Sequence, residues 1–217
     1  NVDEIFDQVV AIDQQSKTYF NIPLSNIVFM GMGEPLMNYN NVLGAIEKIT
    51  SPDGLGMASK RITLSTSGIP KLIRKMADDG VKFNLAVSLH SAIQETREKI
   101  MPFSKKFPVE DLLSSLEYWY EATQKMVTIE FIVWKGINDN LDEVRALINF
   151  CRKFQSKVNL IEYNPIGDDT FEQASKEAMS MYQKKLTSAR ITNTIRRSRG
   201  KDIDAACGQL ANKAHKN

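Results

Sequence analysis

The sequence predicts an α/β protein whose parallel strands curve into part of a barrel. Three observations carry that expectation. Short apolar runs rich in β-branched residues alternate with helical patterns along the chain, which calls for parallel pairing with right-handed crossovers. Polar residues fall at the carboxyl ends of four different runs, as at a barrel mouth. These are Glu34 after the first run, Ser65, Thr66 and Ser67 at the second, Ser88 and His90 at the third, and Asn164 with Pro165 at the fifth. No low-complexity tract or long linker interrupts residues 1–217, so the chain reads as one domain. An open, doubly wound sheet is the rival arrangement.

Taken in order, the first strand is Ile27–Met30, short, continuous and closed by a glycine turn. A helix over Asn41 to Ile49 leads to the second strand, Ile62–Ser65, and a helix over Pro70 to Asp79 leads to the third, Phe83–Leu89. The next helical stretch is Ala92 to Met101. Val109, Leu112, Leu113, Leu116 and Tyr120 then mark one apolar face at helical spacing ahead of the fourth strand, Val127–Trp134. Val144, Leu147, Ile148 and Cys151 mark another, with Asn140 and Asp142 as capping candidates. The fifth strand is Val158–Tyr163, followed by a helix over Phe171 to Leu186 and a sixth strand over Arg190–Ile195.

The stretch N-I-V-F-M-G-M-G-E-P-L-M-N, Asn26 to Asn38, is the most informative. Gly31 and Gly33 let backbone approach a ligand closely, and Pro35 restricts Glu34 to an extended conformation. A carboxylate is thereby presented at the end of a strand, where it suits an ammonium group. A dinucleotide loop does not fit, because Leu36 stands where Gly-x-Gly-x-x-Gly needs its third glycine. Met30, Met32 and Met37 line this region, either as filling or against an adenine ring or thioether. Ser65, Thr66 and Ser67 read equally as a phosphate- or ribose-binding rim and as a polar turn before Gly68.

Composition narrows the class. The chain is 42% hydrophobic and 25% charged, ordinary for a globular domain, and no apolar run is long enough to span a membrane. Two cysteines, Cys151 and Cys207, are too few for a disulfide scaffold and agree with a reducing cytoplasm. Cys151 sits on an apolar stripe and reads as a small buried hydrophobe. Cys207, between small residues and before Gly208, reads either as an inert thiol or as a reactive one. His90 ends an apolar strand and reads first as a hydrogen-bonding structural residue, while His215 lies in a basic tail. With these two histidines and no paired cysteines, no metal site is predicted within the chain. Glu130, inside V-T-I-E-F-I-V, reads as a buried, hydrogen-bonded or ion-paired glutamate. The net charge of +2 announces no nucleic-acid binder. Its distribution is less even, since Arg190, Arg196, Arg197, Arg199 and Lys201 form an acid-free cluster, with smaller pairs at Lys60–Arg61 and Lys105–Lys106.

In this order, G-M-G-E-P-L-M-N, S-K-R-I-T-L-S-T-S-G, S-L-H-S, Y-N-P and R-S-R-G-K-D-I-D-A-A-C-G-Q-L-A resemble the radical S-adenosylmethionine adenine methyltransferases of ribosomal RNA. The resemblance covers almost the whole chain and implies a radical-SAM-type (β/α)6 partial barrel. It implies methylation of carbon 2 of an adenine in large-subunit ribosomal RNA and in some transfer RNAs. Gly33 and Glu34 would hold the methionine end of S-adenosylmethionine, Ser65 its sugar or carboxylate region, and Ser88, Leu89, His90 and Asn164 the rest of the pocket. Cys207, in a closing segment over residues 189–217, would be the thiol that is itself methylated and passes that carbon to RNA. The basic segment ending at Lys201 would face the nucleic acid.

The resemblance further implies a 4Fe-4S cluster and an electron donor such as a flavodoxin-type protein. The family holds that cluster through Cys-x-x-x-Cys-x-x-Cys, a spacing that neither Cys151 nor Cys207 fits. The first barrel strand, the cluster loop and a second, product-releasing cysteine would then precede Asn1, so the chain reads as lacking an amino-terminal part. No general base is placed among its residues. Carbon 2 of adenine, flanked by two ring nitrogens, is a poor nucleophile, which is why such chemistry takes a radical route and leaves the hard step to the cofactor. Methylation at carbon 8, or an inert fragment that binds S-adenosylmethionine or RNA, are the competing expectations.

Overall fold

The computed structural model describes residues 1–164 and 171–196. The chain packs as two units, Asn1–Thr66 with Val81–Leu85, and Ser67–Gly80 with Ala86–Asn217.

In the first unit, helix α1 (Val2–Phe20) starts with a capping box. The Glu4 N–H donates to Asn1 Oδ1 at 3.0 Å, and the Asn1 main-chain nitrogen donates back to Glu4 Oε2 at 2.5 Å. Asn21, left-handed at φ 55°, ends the helix. The exit is fixed by buried Asp13, which accepts the Leu24 N–H at 2.8 Å and pairs with Lys17 at 2.6 Å. Strand β1 (Ile27–Phe29) follows, then a 3-10 helix at Pro35–Asn38, helix α2 (Tyr39–Thr50) and strand β2 (Ile62–Thr66). The strands pair in parallel, with Ile27 opposite Ile62 and Phe29 opposite Leu64. Val42, Ala45, Ile46 and Ile49 of α2 are buried, as are Ile62 and Leu64.

The second unit holds helix α3 (Pro70–Asp78) and the last three residues of strand β3 (Asn84–Ser88). Helix α4 (Gln94–Ile100), a 3-10 helix at Pro102–Lys106 and helix α5 (Val109–Thr123) come next. Strand β4 (Val127–Val133), helix α6 (Leu141–Cys151), strand β5 (Ser156–Glu162), helix α7 (Lys176–Ser188) and strand β6 (Thr192–Arg196) complete it. Each strand pairs in parallel with the next, and β4 runs against β5 from Val127–Ser156 to Val133–Glu162. β4 is buried on both faces, which is why it reads as an unbroken apolar run. Leu112, Leu116 and Trp119 of α5 and Ile73 and Met76 of α3 are almost fully buried, each worth about 1.5–3 kcal/mol of transfer free energy.

The α/β class, the parallel pairing and all six strands stand where the sequence put them, within two residues at each end. Asn140 caps α6 as expected, accepting from the N–H groups of Asp142 and Glu143, each at 3.1 Å. Two differences have physical causes. The periodicity over Phe171 to Leu186 begins a helix only at Lys176, because the preceding residues bridge to the end of β4 instead. Trp134 pairs with Gln173, and the Lys135 N–H donates to Glu172 O at 3.0 Å. Helix α1 was not anticipated at all.

Candidate functional site

The described site residues named from the sequence fall into two clusters, one in each unit.

In the first unit, β1 runs into the glycine loop. A Cβ built at Gly31 or Gly33 would meet no atom within 4 Å, so the loop backbone is open to close approach, and Gly33 adopts φ +85°. Glu34 is extended at φ −109°, ψ 111°, as Pro35 dictates. Its Oε1 accepts the Leu36 N–H at 3.0 Å and the Thr66 hydroxyl at 2.7 Å. A carboxylate is thus oriented beside open backbone, an arrangement suited to an amino or ammonium donor. Leu36 is buried, whereas Met32 and Met37 are 66% and 73% exposed and are not core filling. Ser65 is buried next to Thr66. Thr66 is a side chain that bonds Glu34, and in the sequence it stands only as the middle of the polar trio Ser65, Thr66 and Ser67.

The second unit carries Ser88, Leu89, His90 and Asn164. Ser88 lies in register with Glu130, Glu130 with Asn159 and Asn159 with Thr194, so one polar row crosses four parallel strands. The Thr194 hydroxyl donates to Asn159 Oδ1 at 2.8 Å, and Asn159 Nδ2 donates to Glu130 Oε1 at 2.9 Å. Glu130 is 4% exposed and its second oxygen lies 4.0 Å from Arg196 Nη1, so the expected buried, paired glutamate is what the structure contains. Burial pushes its carboxyl above the ordinary value, opposed by the Asn159 hydrogen bond and by the Arg196 and Lys157 cations.

Leu89, fully buried, donates its N–H to Glu130 O at 3.1 Å. His90, left-handed at φ 59°, accepts the Ile132 N–H on Nδ1 at 3.1 Å, and its carbonyl accepts Asn138 Nδ2 at 2.7 Å. The imidazole meets Trp134 edge-on at 5.6 Å. Burial, helped by the Arg97 cation, holds its pKa down at about 3. With Nδ1 accepting, the ring is neutral and carries its proton on Nε2, so His90 positions and does not shuttle protons near neutral pH. Asn164 is buried two residues beyond β5.

Two organising residues had no sequence signal. Arg97 is 0% exposed although it sits in the charged stretch Q-E-T-R-E-K. It donates through Nε to Leu89 O at 3.2 Å and through Nη2 to Ser67 O at 2.6 Å and Ser88 O at 3.5 Å, so its cation serves strand-end carbonyls. Burial lowers its pKa to about 10, which still leaves it charged. Asn138, also fully buried, gathers the residues beyond β4. It donates to the carbonyls of His90 and Ile132, accepts the Trp134 N–H at 2.7 Å, and its own carbonyl accepts the Tyr182 hydroxyl.

Cys151 is buried as expected, its thiol pushed up to about 12 by desolvation. Cys207, Lys201 and most of the basic cluster lie outside the described residues. Among the described residues no group of three or more His, Cys, Asp or Glu could hold a metal ion, and no helix is long and apolar enough to cross a membrane. The residues described do not supply the ligands of an iron–sulfur cluster.

No protein-family model matches the chain. The probable dual-specificity RNA methyltransferase RlmN of Christiangramia forsetii is 65% identical over 214 residues, 99% of this chain and 61% of the relative. Its counterpart in Flavobacterium johnsoniae is 66% identical over 210 residues, 97% of this chain and 60% of the relative. Among solved structures, a radical SAM methyltransferase from Sphaerobacter thermophilus shares the fold with a TM-score of 0.93 at 33% identity, covering 96% of this chain and 61% of that one. Over nearly its whole length the chain is therefore similar to proteins named as RlmN-type RNA methyltransferases and to a radical SAM methyltransferase, and it spans about three fifths of the length of the curated relatives it matches.

Proposed function

We propose that this chain is the S-adenosylmethionine-binding core of a radical SAM methyltransferase that methylates carbon 2 of an adenine in large-subunit ribosomal RNA and in some transfer RNAs. The observation that carries this reading is the 65% identity, over 99% of the chain, to a protein named as a dual-specificity RNA methyltransferase. The Glu34 geometry supports it independently. S-adenosylmethionine, when bound, supplies the transferable methyl group. Glu34, oriented by Leu36 and Thr66, would accept the methionine ammonium, with Gly33 giving the backbone room that the approach needs. Ser65 would meet the sugar or carboxylate region. Ser88, Leu89, neutral His90 and Asn164 would line the remainder, held in shape by Arg97 and Asn138. Cys207 would be the methyl-accepting thiol, carried in a segment over residues 189–217.

The whole protein's partners on this reading are RNA, an electron donor of the flavodoxin class and a 4Fe-4S cluster, working in the cytoplasm. The described residues do not provide the ligands of that cluster. The test is to incubate the intact-length protein, reconstituted anaerobically, with S-adenosylmethionine and a large-subunit RNA fragment. Digested RNA is then compared by mass spectrometry with 2-methyladenosine and 8-methyladenosine standards. The 2-methyl isomer is expected. The 8-methyl isomer would redirect the assignment to the other ring carbon, and no methylated adenine at all would end it.

A further inference from the structure

We infer that the tip of the connection between β3 and α5, centred on Phe103, Lys105 and Lys106, is an RNA-contacting element. The inference rests on the RNA methyltransferase reading and adds a surface to it.

Internal hydrogen bonds fasten the tip to the carboxyl end of β3. The buried Arg97 guanidinium bonds the carbonyls of Leu89 and Ser88 at the carboxyl end of β3, which ties α4 to that end of the strand. The 3-10 helix Pro102–Lys106 hangs directly from α4, since the Met101 N–H donates to Arg97 O at 2.7 Å and the Ser104 N–H to Met101 O at 2.8 Å. The far side is closed by the Val109 N–H, which donates to Gln94 Oε1 at 2.8 Å. The tip is therefore a braced feature at the end of β3 that carries Ser88, Leu89 and His90, the residues proposed to contact the cofactor.

What it displays fits single-stranded RNA. Residues 99–108, K-I-M-P-F-S-K-K-F-P, contain three lysines and no acid. Lys99, Lys105 and Lys106 are exposed, while Ser104 between them is buried as an anchor. Phe103 is 39% exposed and leans on Phe107 at 4.9 Å, so one aromatic ring is shown to solvent on a firm backing. A ring beside ammonium groups is the pairing that stacks a base while neutralising its phosphates. A lysine pair serving solubility alone has no use for the ring, and an acidic protein partner would use the charge without it.

The test uses the intact-length protein and a fluorescein-labelled RNA hairpin with an unpaired adenine in its loop, read by anisotropy across a salt series. Lys105→Gln with Lys106→Gln should weaken binding and flatten the log affinity against log salt slope by about 1.4, the release expected from two phosphate contacts on a single strand. Phe103→Ala should weaken binding by roughly tenfold with the slope unchanged, as loss of one stacked base requires. Both variants should keep the melting temperature and the S-adenosylmethionine affinity of the parent. If the parent binds the hairpin and the variants match it in affinity and slope, the inference alone fails. If the parent does not bind RNA, the methyltransferase reading fails and takes the inference with it.

Discussion

Thr66 Oγ1, at 2.7 Å from Glu34 Oε1, is a hydroxyl that helps to set the direction of the proposed ligand-binding carboxylate. Removing that donor takes away one of the bonds that orient Glu34, and the side chain gains rotational freedom that ligand binding must then remove. Thr66→Val is isosteric enough to keep β2 packed. It is expected to weaken S-adenosylmethionine binding by about tenfold, consistent with the 1.5–3 kcal/mol of a hydrogen bond to a charged group. Thr66→Ser should restore it. Equilibrium dialysis on the three forms decides, and unchanged affinity in Thr66→Val would remove the positioning role. Part of this was legible beforehand. The extended Glu34 followed from Pro35, and the polar end of β2 was visible as Ser-Thr-Ser. Which of those side chains reaches Glu34 was not, because neighbouring residues of a strand face opposite ways and only the register against β1 settles the side. Arg97 was hidden for a different reason. Its burial depends on three carbonyls, and an unpaired carbonyl has no signature in the sequence.

At the scale of elements, two glycines of similar conformation have different reasons to be there. Gly33 at φ +85° faces open space, so Gly33→Ala costs only the left-handed strain, about 1–2 kcal/mol. Gly68 at φ +95° would place a Cβ 2.9 Å from Leu112 Cδ1 on α5, so Gly68→Ala adds a clash to the strain. Urea denaturation should show Gly68→Ala the more destabilised by a further 1–3 kcal/mol or so, the usual cost of overpacking. Equal losses would mean that α5 yields freely. The polar row from Ser88 to Thr194 makes a pH prediction. Glu130 has its folded pKa raised above the ordinary 4.5. Between those two values the folded state holds the proton and the unfolded state does not, so this group's contribution to stability falls as pH rises through the folded pKa. Glu130→Gln does not titrate, so its stability relative to the parent should rise from pH 4.5 up to the folded pKa of Glu130 and hold constant above it in denaturation series. A constant difference would show that the carboxyl titrates normally. The strands were read within two residues because buried parallel strands write themselves as apolar runs, while α1 was missed in plain view. Its Asn1–Glu4 capping box and apolar spacing are present, but its buried face carries Asp13, a polar anchor that breaks the stripe.

For the whole molecule, the count of thiols outweighs the fold. The chain matches a radical SAM methyltransferase with a TM-score of 0.93, yet it contains two cysteines in all. One of them, Cys151, is buried with its thiol pushed up to about 12, so it offers no thiolate at physiological pH. An iron–sulfur cluster is held by several thiolates, and a single remaining thiol at Cys207 cannot substitute for them. Within residues 1–217, fold similarity therefore does not bring the cluster ligands along with it, since a scaffold and the ligands grafted on it are separate facts. Anaerobic treatment of this 217-residue chain with ferrous iron and sulfide should leave iron well below the roughly four atoms per chain of a complete cluster, with none of its visible absorbance. A variant carrying Cys207→Ser should give the same trace. Stoichiometric iron in the parent, abolished in Cys207→Ser, would mean that Cys207 is a cluster ligand, and its assignment as the methyl-accepting thiol would have to be withdrawn.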